Sequence, residues 1–82
     1  MSLVIDVPKI VSKIAEKYSL DLPSKIVMFH YDDSADTLYV HFEYPAKSAD
    51  SKVVDRYGEI VLGLDNKGRI VNLTIINAAD WN

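Results

Sequence analysis

Apolar residues fall at Val7, Ile10, Val11, Ile14, Ala15 and Tyr18, the spacing that lines one face of an α-helix. Lys9, Ser12, Lys13, Glu16 and Lys17 take the opposite face. Asp6 is placed to accept from the free N–H groups of the first turn, and Pro8 is tolerated there because that position needs no donor. The pattern predicts a helix over 7–19. A connector follows, because Pro23 pushes Leu22 out of helical geometry. From Ile26 the period drops to two, and runs at 26–31, 37–44, 51–55, 59–65 and 69–77 read as strands. In the second run Leu38, Val40, Phe42 and Tyr44 share one face, and Tyr39, His41 and Glu43 share the other. Ile60, Leu62 and Leu64, then Val71, Leu73 and Ile75, continue the apolar face. The connections are too short for parallel crossovers, so neighbouring strands run antiparallel. The expectation is a single α+β domain over 1–82, an N-terminal helix packed on a five-stranded antiparallel meander at 26–77.

The turns repeat a form. "DRYG" at 55–58 and "DNKG" at 65–68 put Asp first and Gly fourth. An Asp side chain there accepts backbone N–H groups, and a Gly in the fourth place takes positive φ without strain. "DSAD" at 33–36 has the same spacing, with Asp36 in the glycine place. Asp33, Asp36, Asp55, Gly58, Asp65 and Gly68 are therefore read as turn formers. A calcium loop counted from Asp32 gathers Ser34, Asp36 and Glu43. It lacks the glycine at its sixth place, where Thr37 stands, and its closing Glu43 lies on a strand.

"YDDSADTLYVHF" followed by "VVDRYGEIVLGLDNKGRIVNLTIINA" resembles domain-of-unknown-function family 2283. Tyr31, Asp32, Asp36, Leu38, Tyr39, Asp65, Gly68, Arg69, Ile70 and Val71 carry the resemblance, which covers roughly residues 30–79. Where the family pattern has Gly and then Glu late in the last strand, this chain has Asn72 and Thr74. The helix lies outside the resemblance. The resemblance implies no enzyme activity. It implies a protein-binding role, such as the smaller partner of a toxin-like protein.

Composition narrows the remaining choices. In 82 residues there is no cysteine, so disulfides and thiolate metal sites are excluded. A chain this short buries only roughly 60–65% of its unfolded surface, and an apolar content of 49% favours oligomerisation as the supplement. No apolar run approaches the roughly 18 residues that cross a bilayer, and "MSLVID", without a basic start and short, is not expected to act as a signal peptide. The expected location is the cytoplasm. The net charge of −3 repels phosphate backbones, so no nucleic-acid partner is expected. Lys9, Lys13 and Lys17 form a basic stripe that reads as a solvated helix face. No nucleophile motif and no phosphate loop is present, so the expectation is a non-enzymatic protein without a cofactor.

Two surface readings remain. His30 and His41 become diagonal neighbours if Tyr31, Phe29 and Val27 pair against Leu38, Val40 and Phe42. With Glu43 they form a candidate metal set, one ligand short of a closed site. In the other reading, Ile26, Met28, Tyr39, Val61, Ile70 and Ile76 point away from the core, and one helix cannot cover both faces of the sheet. That predicts a homodimer interface built on Met28, Tyr39, Val61 and Ile76, with Trp81 closing over it.

Overall fold

The structure is a computed structural model describing residues 5–43 and 48–82. Tyr44, the last residue of the second predicted strand, lies outside the described residues, as does part of the loop after it. Helix α1 spans Val7–Tyr18. The Asp6 carboxylate accepts from Lys9 N–H at 3.2 Å, and Pro8 sits in the first turn. At the other end Ser19 takes a left-handed conformation, φ 54°, and the Leu20 N–H donates to Ala15 C=O at 2.9 Å. The helix therefore ends where the apolar period stops.

Five strands follow: β1 Met28–Asp32, β2 Thr37–His41, β3 Asp50–Val53, β4 Ile60–Leu64 and β5 Ile70–Ile76. A 3₁₀ turn, Ala78–Trp81, comes after them. All pairings are antiparallel, and the predicted register of the first hairpin holds for Phe29 opposite Val40 and Tyr31 opposite Leu38, whereas Val27, expected opposite Phe42, precedes β1 and donates its N–H to His41 C=O at 2.9 Å. The sheet order is β1-β2-β5-β4-β3, so the strands do not follow one another across the sheet as in a simple meander. The chain leaves β2 for the far edge and returns, and β5 closes the gap between β2 and β4. Burial accounts for this order. β5 is the longest strand and buries Val71, Leu73 and Ile75, whereas Asp50, Ser51, Lys52 and Val53 are all exposed and suit an edge.

One core lies between the helix and one face of the sheet. Ile10, Ile14, Leu38, Val40, Ile60, Leu73 and Ile75 are fully enclosed there. Two residues expected on the opposite face belong to this core. The register slips between Gly63 and Leu64, so Leu64 faces Ile70 and both turn inward. Ile26 precedes β1, escapes its alternation and packs beside the helix. Among the described residues no helix is long and apolar enough to cross a membrane.

Candidate functional site

The acidic cluster at 32–36 is a turn with a further task. Asp32, not Asp33, is the local acceptor. Its Oδ1 takes Ser34 Oγ at 2.8 Å and Ser34 N–H at 3.2 Å, and these bonds hold its carboxyl below the usual carboxylate range. Asp36 adopts φ 48°, the left-handed geometry expected of it. Its Oδ1 accepts from Tyr31 Oη at 2.6 Å and from Ala79 N–H at 3.0 Å, and its C=O accepts from Ala78 N–H at 3.1 Å. The first hairpin is thereby tied to the 3₁₀ turn 43 residues on. The hydrogen bond from Tyr31 Oη to Asp36 leaves the phenol pushed up to about 12, with burial and the charge of Asp36 adding to it. The other two turns match their expectation. Asp55 Oδ1 accepts from Glu59 and Ile60, Asp65 Oδ1 accepts from Lys67 and Arg69, and Gly58 and Gly68 have φ 74° and 78°.

Among the described residues, no helix or strand covers the sheet face opposite α1. His30 lies across from Tyr39, their rings stacked 6.1 Å apart, and His41 lies across from Met28. The two histidines are diagonal neighbours, as the sequence implies. Glu43 does not join them. β2 ends at His41, and the chain bends so that Glu43 lines a cleft with Asp21, Leu22, Pro23 and Arg69. Among the described residues no three His, Cys, Asp or Glu side chains form a metal-binding group. His41 is half-buried, and its Nδ1 has no hydrogen-bond partner among the described residues. Beside it Asn72 extends over Gly63, its amide occupying the place a Cβ there would take. That close approach, rather than a turn, is what requires glycine inside β4.

Of the predicted interface residues, Met28, Tyr39 and Ile76 are exposed on this open face, and Val61 is half-buried among them. Val53, opposite Val61, belongs with them and was not in the predicted set. Trp81 is elsewhere. It packs on the helix side, its ring 6.2 Å from Tyr18 with the Lys17 ammonium 5.4 Å away, so it closes the core and not the open face. The sequence pattern also missed the exposure of β1. Phe29 points to the helix side yet is 54% exposed, because the helix stops short of this edge. Val27, Met28 and Phe29 join Val7, Pro8 and Ile26 around a shallow groove of about 450 Å³.

Helix, antiparallel sheet and Asp-led turns define a small α+β domain with one covered and one open sheet face. Residues 28–78, more than half of the chain, match the family described as a protein of unknown function (DUF2283), and the chain belongs to that family. The match takes in all five strands and leaves out the helix. Comparison with curated proteins and with solved structures gives no match.

Proposed function

We propose that this chain is a cytoplasmic, non-enzymatic protein-interaction domain that associates with a second copy of itself. The observation that carries the reading is that, among the described residues, the five-stranded sheet has one α-helix and a 3₁₀ turn on one face. Met28, Tyr39, Val53 and Ile76 are left exposed on the other. Covering such surface returns about 25 cal/mol for each Å² of apolar area removed from water, and a self-complementary two-fold pairing is the commonest arrangement. The Asp-led turns serve the fold in this reading, and no group of side chains is assigned to catalysis.

Sedimentation equilibrium at micromolar concentration is expected to give twice the 9.2 kDa chain mass. Met28→Lys is expected to shift the population toward single chains. A chain that stays monomeric at every accessible concentration sinks the reading. It would leave the surface for a different protein, such as the small toxin-like partner that the family resemblance implies.

A further inference from the structure

We propose that two copies join edge to edge along β1, antiparallel about a two-fold axis near Phe29, so that the sheet of one continues into the sheet of the other. The proposal rests on the self-association reading but moves the contact from the open face as a whole to the β1 edge, where Met28 and Phe29 are covered and Tyr39, Val53 and Ile76 lie outside it. β1 has one neighbour, β2, and no backbone hydrogen bond to any other described segment. An unpaired edge is a template for another strand, and natural edges are commonly blunted by Lys, Pro or a bulge. β1 carries none of these. The opposite edge, β3, carries Asp50 and Lys52, and the Asp50 carboxylate occupies the Ser51 N–H.

The exposed side chains point to the same edge. Met28 stands on the open side of β1 and Phe29 on the helix side, 46% and 54% exposed. A partner laid on the open face covers Met28 and leaves Phe29 wet. A neighbour along the edge reaches both, together with the groove at Val7 and Pro8.

Charge specifies the occupant and its direction. The stretch from Ile26 to Tyr31 has no acid, Lys or Arg. Lys25 precedes it, and Asp32 and Asp33 follow. Lys25 precedes β1 by three residues and Asp33 begins the turn after it, so with the axis at Phe29 an antiparallel copy brings the partner's Lys25 to the strand end where Asp32 and Asp33 lie. Parallel pairing would set like charge against like. A second copy of this chain therefore supplies both the extended backbone and the complementary ends.

The chain contains no cysteine, so each introduced one is unique. Residues facing each other across an antiparallel pair lie within disulfide reach. Phe29→Cys is expected to give an interchain disulfide under mild oxidation, and Ile76→Cys, on the open face away from β1, is expected to stay reduced. Lys25→Glu should raise the dimer dissociation constant about tenfold through two symmetric charge contacts, and adding Asp33→Lys should restore it. A dimer that crosslinks through Ile76→Cys and not through Phe29→Cys overturns the edge contact and leaves self-association standing. A parent chain that is monomeric throughout overturns both.

Discussion

Asp36 takes three hydrogen bonds from two parts of the chain through one short side chain and its own carbonyl: from the Tyr31 phenol, and from the Ala79 and Ala78 N–H groups of the 3₁₀ turn. Its left-handed backbone makes this possible, because Asp reaches that region more readily than most residues. The consequence shows at high pH. The folded chain holds the Tyr31 proton until about 12, whereas an unfolded phenol releases it near its ordinary value of 10.0. Protonated Tyr31 therefore supports the fold fully below the unfolded value, and that support fades as pH rises from there toward the folded one. The melting temperature of the parent is expected to fall more steeply over this window than that of Tyr31→Phe. Equal slopes for the two proteins count against the bond. Tyrosinate ultraviolet absorbance should also show one phenol titrating late in the parent and not in the variant.

At the scale of elements, β4 and β5 are matched by shape as well as by hydrogen bonds. The Asn72 amide lies where a Gly63 side chain would start, so Gly63→Ala must displace it. We expect Gly63→Ala to cost about 1 kcal/mol in the parent and markedly less beside Asn72→Ala, since the two positions are in contact. Chemical denaturation of the four proteins in the cycle measures the difference, and strict additivity would refute the contact. The existence of helix and strands was legible because an apolar period names the face each residue occupies. Strand order was not legible in the same way, because alternation does not say which strand lies alongside. Ile70 shows the limit of the period: one register slip next to Gly63 moves it to the core side. Phe29 shows another, since its face was read correctly and its exposure depends on where the helix ends over the sheet. Strand alternation carried past His41 puts Glu43 with the histidines, but the chain bends away there. Asp36 was legible as a turn residue, but its bond to Ala79 links positions that no local pattern relates.

Across the whole molecule, the segments at either end of the described core meet: the Asp6 N–H donates to Asn82 Oδ1 at 2.9 Å, and Trp81 packs against Tyr18. Helix and 3₁₀ turn thus close one end of the core together, while the opposite sheet face stays open. The place of β5 bears on how the molecule is made. A ribosome delivers residues in order, and the strand at the middle of the sheet is the last of the five to emerge. Until Ile70–Ile76 arrives, β2 and β4 each lack the partner that joins them, and Leu38, Val40, Ile60 and Leu62 have no completed core to enter. The nascent chain therefore presents two unfinished edges rather than a growing sheet, and consolidation waits for the final strand. A fragment ending at Arg69 is expected to show no cooperative thermal transition by circular dichroism and to aggregate at concentrations where the full chain is soluble. A sharp transition in that fragment would mean that the hairpins assemble without their keystone.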